Sequence, residues 1–329
     1  MVRVGINGFG RIGRMVFRHS LSIDGVEVVA INDLSDVKIL AHLLKYDSIH
    51  GVLGYEVSYS DTSIVVDGYE VEVFNKKSPS EIPWDKLDVD IVVESTGLFR
   101  DRDSASLHLV NGVDRVVVSA PGKDMDVTII PYVNEHVYDR KRHKVLSMAS
   151  CTTNALAPLV KVLHENLGIL KGGMITVHAY TNDQRILDAI HRDPRRARAA
   201  AVNLIPTSTG AAKAIFEIYP ELKGRLDAYA IRAPVADGSL IDLKVLVERE
   251  TDVSSVNNLF LDASRGELRE ILQYVEDPIV SSDIINNTYL SIFDSLLTQV
   301  VDSNFVRVVS WYDNEYGYSY HLTKMLERL

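Results

Sequence analysis

The stretch "VRVGINGFGRIGR", residues 2–14, decides the fold. A short run rich in β-branched residues (Val2, Val4, Ile6) leads directly into Gly8, Gly10 and Gly13. These are spaced G-x-G-x-x-G and open the helical pattern "RIGRMVFRHSLS". Each glycine answers a different demand. Gly8 permits a tight turn, Gly10 lets backbone approach a pyrophosphate, and Gly13 lets helix pack close to strand. The helix N-terminus then offers free N–H groups and partial positive charge to an anion. A second β-rich run, "VEVVAIND", ends on Asp33, 20 residues after Gly13. An acidic residue there suits the adenosine ribose hydroxyls and repels the extra phosphate of NADP.

Outward from this unit the first half alternates the same two patterns. "VKILAHLLKYD" reads as a helix, while "VDIVVEST" and "DRVVVSAP" are nearly continuous apolar runs, as expected of strands buried on both faces of a parallel sheet. The spacing predicts a Rossmann-type α/β domain with a doubly wound, mostly parallel sheet over about 1–150, joined by the C-terminal helix at about 316–329. From residue 151 to 315 the pattern changes. "MITVHAYTN" reads as a strand, "GAAKAIFEIYPEL" as a helix, and "YAIRAPVADGSLIDLKVLVERE" as two long strands around a turn with Gly238. "SVNNLFLDASRGELREILQYV" reads as helical segments broken at Gly266. This predicts a second, α+β catalytic domain with a mixed or antiparallel sheet. The closing "YGYSYHLTKMLERL" reads as an amphipathic helix with Tyr320, Met325 and Leu326 toward the core.

Composition excludes several classes. A chain of 329 residues exceeds what one core usually supports. A net charge of −10 argues against a dedicated nucleic-acid surface, although "HRDPRRAR" at 191–198 is a basic cluster against that background. No apolar run is long enough for a membrane span, and the N-terminus has no leader pattern, so a cytoplasmic protein is expected. Cys151 is the only cysteine, which rules out an intramolecular disulfide and a multi-thiolate metal cage; no metal is expected.

That single thiol sits in "ASCTTN", residues 149–154, between the β-rich "HKVLSM" and a helical pattern. A lone cysteine reads either as a small core filler or as a nucleophile. Its position at a helix N-terminus favours the thiolate. Among ten histidines His178 is the best-placed base, near the end of the apolar strand in "ITVHAYTND" and followed by polar residues.

Taken together, "INGFGRIGR", "AINDL", "LLKYDS", "ESTG", "SMASCTTNALAP", "TVHAYTNDQR", "RRARAAAVNLIPTSTGAAKA" and "SWYDNEYGYS" closely resemble phosphorylating glyceraldehyde-3-phosphate dehydrogenase, in family order to residue 319. The resemblance implies that Cys151 attacks the aldehyde of glyceraldehyde 3-phosphate and that hydride passes from the hemithioacetal to NAD. Inorganic phosphate then cleaves the thioester to give 1,3-bisphosphoglycerate. His178 would act as base, and the Cys151 N–H would be an oxyanion donor. It further implies that Thr181, Asp183 and Arg232 hold the substrate phosphate, and that Ser150, Thr152, Arg196, Thr209 and Gly210 hold inorganic phosphate. On the cofactor side it implies Arg11 and Ile12 at the pyrophosphate, Lys77 near the adenine end and Ser95, Thr96 and Ser119 along the cofactor path. Asn314 would contact the nicotinamide carboxamide, and Tyr318 would pack near the ring. A homotetramer is implied as well.

The sequence departs from the family at Ala189 and Ile190, where NAD-dependent members carry Leu-Pro, and at Pro194 and Pro131. NADP-using members tend to have small residues there, so the loss of Leu-Pro predicts some NADP tolerance beside the NAD preference set by Asp33. Erythrose-4-phosphate dehydrogenase shares the cysteine, histidine and fingerprint, and is the alternative enzyme. A non-catalytic, redox-sensing dinucleotide-binding protein is the alternative from another class.

Overall fold

The computed structural model describes residues 1–329. The chain divides into two compact units: 1–129, 135–149 and 319–329 form the first, and 130–134 with 150–318 the second. The partition thus assigns the short segment Ile130–Asn134 to the second unit and changes unit inside the last helix, Tyr316–Leu326.

In the first unit, nine strands form one sheet. By first residue their order is Val127, Val145, Arg115, Ile91, Val2, Val26, Tyr69, Ser63, Val57. The strands from Val127 to Tyr69 run parallel; only Ser63–Val66 and Val57–Tyr59 are added antiparallel. Ile91–Glu94 and Arg115–Val118 are buried at every position, which is why those segments read as unbroken apolar runs. The chain leaves Val2–Asn7 toward Val26 on one side and later returns to Ile91 on the other. That reversal is the topological switch point, where ligands bind beyond the carboxyl ends of parallel strands. The Gly8 loop and Ser95–Thr96 both sit there.

The second unit is built on an eight-stranded mixed sheet ordered Ile205, Leu226, Ile169, Ser239, Phe305, Ser291, Leu272, with Gln299–Val301 added alongside Phe305. The helices Cys151–Leu167, Ala211–Ile218 and Val253–Arg265 cover it, contributing Leu159, Leu163, Ile215, Val256 and Phe260 to one apolar core.

Three local expectations need correction. Leu226–Ala233 and Ser239–Val247 do not pair around Gly238; Ile169–Ala179 lies between them, parallel to the first and antiparallel to the second. Gly238, at φ +84°, ends a crossover and not a hairpin. After Gly266 the chain forms no second helix, and Leu272–Val275 is a strand parallel to Ser291–Asp294. Finally, Tyr316–Leu326 is not simply amphipathic. Met325 and Leu326 are buried as expected, but so are Ser319, His321 and Thr323, while Tyr320 is only half-buried.

Candidate functional site

The glycine loop can be tested for a dinucleotide by asking where side chains would fit. A Cβ on Gly8, whose φ is +92°, would lie 2.7 Å from the Thr96 nitrogen, and one on Gly13 would lie 2.3 Å from the Gly8 carbonyl oxygen. A Cβ on Gly10 would meet nothing within 4 Å. Two glycines therefore close the loop on itself, and the third leaves an opening beside the start of Arg11–Ser20, whose N-cap has no side-chain partner. This is the space and the donor set a pyrophosphate needs.

Polar side chains at the strand ends hold the loop. Asp33 accepts from the Phe9 N–H and the Ser35 N–H, both at 2.9 Å, which fixes its carboxylate at the end of Val26–Asn32. Ser95 donates to the Gly8 carbonyl at 2.7 Å, and Ser119 donates to the Glu94 carbonyl at 3.1 Å. Buried Glu94 accepts from Asn7 (2.6 Å), the Thr96 N–H (2.8 Å) and the Thr96 hydroxyl (2.5 Å). His108 Nε2 stands 3.1 Å from the same carboxylate, and the Trp84 indole N–H donates to His108 Nδ1. Asn7 in turn accepts from Asn32, whose oxygen takes the Lys76 N–H. Ser95, Thr96 and Ser119 thus brace this switch point, with their hydroxyl hydrogens already placed. Arg11 is ion-paired with Asp47, so what it offers an anion at the helix start is its backbone. Ile12 follows in the first turn, and Lys77 is exposed beyond Tyr69–Phe74.

Ala149, the last residue of the first unit's segment, has φ +53° and turns the chain just before the helix that opens on Cys151. Ser150 caps Cys151–Leu167, accepting from the Thr153 N–H at 3.1 Å and sharing a hydrogen with the Thr153 hydroxyl. Asn154 ties back to the Ser150 carbonyl. Cys151 is therefore the first helical residue, and its N–H has no partner within the helix.

The Cys151 sulfur lies 3.5 Å from His178 Nε2. On the other side of the ring, Nδ1 is 2.7 Å from the Ala179 carbonyl oxygen, which can only accept. That contact, shorter than the 3.2 Å from Arg232 Nη1 to the same nitrogen, favours the ring proton on Nδ1, with the Nε2 lone pair toward the thiol. Burial pushes the thiol up to about 11, against the pull of the Arg232 guanidinium. Burial and Arg232 together push His178 down to about 3, with the Ala179 contact opposing. The thiolate expected from the helix N-terminus is thus outweighed by burial. Both shifts favour the uncharged forms, a thiol and a neutral imidazole within reach of proton transfer.

Arg232 reaches the Ala179 carbonyl (3.1 Å) and the Thr181 hydroxyl (3.3 Å), but its Nε is buried with no partner. A guanidinium short of an acceptor beside the Cys151–His178 pair is suited to binding an anion. Thr209 accepts from the Ala211 N–H, and Gly210, where a Cβ would meet nothing, is the N-cap of Ala211–Ile218. Arg196 binds Thr207 through Nε at 2.8 Å and forms an ion pair with Asp183.

Two expected ligands are differently engaged. Asp183 offers only acceptors; burial opposes its charge, but Arg196 and His191 outweigh burial and hold its pKa low, so it serves as a counter-ion aiming Arg196. Thr152 is buried, with its hydroxyl 2.9 Å from the Tyr312 hydroxyl. Tyr312 continues to Thr176, which donates to the Leu240 carbonyl, and its ring stands edge-on to His178 at 5.9 Å. Buried Tyr318 is close enough for the Cys151 charge to help burial raise its hydroxyl pKa. Asn314 is buried, its Oδ1 2.6 Å from the Ser239 hydroxyl.

Sequence reasoning missed Tyr312, Thr176, Ser239, Asn7 and Glu94. Tyr312 lies inside the quoted "SWYDNEYGYS", and Asn7 and Glu94 end apolar strands beside the glycine loop, so their positions were signals. Ser239 carried none.

Comparison with known proteins gives concordant matches. Residues 2–102 match the family model described as glyceraldehyde 3-phosphate dehydrogenase, NAD binding domain, and residues 150–314 match that of the C-terminal domain. The chain is 54% identical over 319 residues to glyceraldehyde-3-phosphate dehydrogenase 1 of Bacillus cereus, covering 97% of this chain and 96% of that one. It is 53% identical to the Geobacillus stearothermophilus enzyme of that name, covering 98% and 97%. With that of Thermotoga maritima it shares 54% identity over 331 residues, covering 100% and 99%.

Proposed function

Because this chain belongs to the glyceraldehyde-3-phosphate dehydrogenase family, we propose that it carries out the glycolytic oxidation of glyceraldehyde 3-phosphate, with NAD as hydride acceptor and inorganic phosphate as acyl acceptor. The observation that carries this reading is the Cys151–His178 contact of 3.5 Å beside an Arg232 Nε that lacks an acceptor.

The chemistry follows from these groups. As Cys151 sulfur bonds to the aldehyde carbon, His178 Nε2 takes the thiol proton and returns it to the carbonyl oxygen, giving a hemithioacetal. The Cys151 N–H faces the oxygen on which charge develops. Next His178 removes the hydroxyl proton while the C–H electron pair leaves as hydride, and Cys151 is left as a thioester. Nicotinamide, when bound, supplies the hydride acceptor. A phosphate oxygen then attacks the thioester carbon, the C–S bond breaks, and sulfur departs with the electron pair and regains a proton. Arg232 and Thr181 hold the substrate phosphate. Thr209, Gly210, Arg196 and the Ser150–Thr152 turn surround the attacking phosphate, with Asp183 orienting Arg196.

For the cofactor, Gly8, Gly10, Gly13, Arg11 and Ile12 take the pyrophosphate, Asp33 the ribose hydroxyls, and Lys77 the adenine end. Ser95, Thr96 and Ser119 shape the path, while Asn314 and Tyr318 meet the nicotinamide. Asp33, anchored by two N–H groups, supports NAD over NADP; Ala189 and Ile190 support residual NADP use. The kcat/KM ratio of the two cofactors checks this, and a preference for NADP contradicts it.

A homotetramer is supported by the irregular segment 180–204, which exposes Ile186, Leu187, Ile190, Val202 and Leu204, apolar side chains that a neighbouring copy would cover. No helix is long and apolar enough to cross a membrane, and the single free thiol suits a reducing cytoplasm. The comparisons favour neither erythrose 4-phosphate oxidation nor a purely redox-sensing role. NADH formation with each aldehyde tests the choice: glyceraldehyde 3-phosphate should give the higher kcat/KM, and the reverse order overturns it.

A further inference from the structure

Three strands meet at Ser239. It begins Ser239–Val247, faces Tyr312 across the ladder with Phe305–Tyr312, and neighbours the His178 end of Ile169–Ala179, where Val177 faces Leu240. Its side chain is 0% exposed. The Ala179 N–H donates to Ser239 Oγ at 3.1 Å, and Oγ lies 2.6 Å from Asn314 Oδ1. A backbone N–H can only donate, so the first contact uses a lone pair and leaves the hydroxyl hydrogen to be placed. Full burial leaves it no solvent, and Asn314 Oδ1 is the acceptor in reach. That hydrogen bond decides which end of a nearly symmetric amide faces which way. The oxygen is held at Ser239, and Nδ2 is turned outward as a donor.

We infer that Ser239 is the positioning residue for the cofactor's carboxamide: it locks Asn314 so that Nδ2, and not Oδ1, is presented to the carboxamide carbonyl oxygen. This rests on the reading that Asn314 contacts the nicotinamide. Without the Ser239 hydroxyl, Asn314 is free to present its own oxygen, which repels that carbonyl. The same hydroxyl also holds the N–H of Ala179, the residue after His178. One atom thereby references both the base and the amide.

The test is a double-mutant cycle on NAD affinity, read as the dissociation constant from quenching of protein fluorescence. It uses the wild type, Ser239→Ala, Asn314→Ala and the double variant. Ser239→Ala should weaken NAD about 10-fold, the scale of one lost, well-aligned hydrogen bond. Asn314→Ala should weaken it at least as much, and the double variant no further than Asn314→Ala alone. If the two effects multiply, Ser239 acts elsewhere and the inference falls. If Ser239→Ala binds NAD as the wild type does while Asn314→Ala does not, it falls equally. If Asn314→Ala leaves NAD affinity unchanged, the reading of Asn314 itself is wrong.

Discussion

An imidazole with its Nε2 3.5 Å from a half-buried thiol gives that thiol somewhere to send its proton. With His178→Asn, alkylation of Cys151 by iodoacetamide at neutral pH should slow, and its rise should move to higher pH. Turnover should fall about a hundred-fold or more, the usual scale for a lost general base. Unchanged alkylation and turnover would show that another group takes the proton. Asp237 makes a second prediction. Burial, then the charges of Asp313 and Glu315, push its pKa up to about 8, against the Gly238 N–H. The folded protein then binds a proton there that the unfolded chain has released, so stability falls as pH rises from about 4 to about 8. Asp237→Asn should lack this loss, so its stability in urea unfolding should gain on that of the wild type between pH 5 and pH 8. Cys151 and His178 were legible singly, as a lone cysteine at a strand-to-helix junction and a histidine near a strand end, while their 3.5 Å approach was not. Ser239 was not, since a serine opening a strand has no chemical pattern of its own. It matters only through contacts with residues 60 and 75 positions away, Ala179 and Asn314. Thr152 was legible as polar but not as buried, because its partner Tyr312 is 160 residues away in sequence.

At the scale of elements, the glycine loop separates folding from binding. Gly8→Ala places a side chain at φ +92° against the Thr96 backbone and should cost about 2 kcal/mol or more in urea unfolding. Gly10→Val fills open space, so it should leave stability near that of the wild type while NAD affinity drops at least ten-fold. Equal effects of the two on stability would contradict this division. Ser150→Ala removes the cap of the helix Cys151–Leu167 and should cost about 1 kcal/mol. The parallel sheet was legible element by element, since strands buried on both faces leave unbroken apolar runs and the glycine spacing marks the turn. The second sheet was less so. Strand existence follows from local pattern, but partner choice does not, and Leu226–Ala233 and Ser239–Val247 look like a hairpin until Ile169–Ala179 is placed between them. The segment after Gly266 failed for a related reason. Buried Leu268, Ile271 and Leu272 keep a helical spacing, yet they form a turn that leads into a four-residue strand.

At the scale of the whole molecule, the segment 180–204 has almost no regular structure of its own. It is held by charges, Arg196 to Asp183 and Arg198 to Asp188, while its apolar side chains face outward. On the proposed homotetramer, Leu187→Asp should shift the protein toward smaller species in light scattering after gel filtration. A wild type that runs as a monomer would contradict the reading. The account's central claim is that oxidation proceeds through a thioester on Cys151 that phosphate resolves. The most direct measurement is NADH formation from glyceraldehyde 3-phosphate and NAD, first without phosphate and then with it. The account predicts a burst of about one NADH per Cys151 that stalls, steady turnover once phosphate is added, and neither phase in Cys151→Ser. Steady NADH formation without phosphate, or a burst that survives in Cys151→Ser, would contradict it.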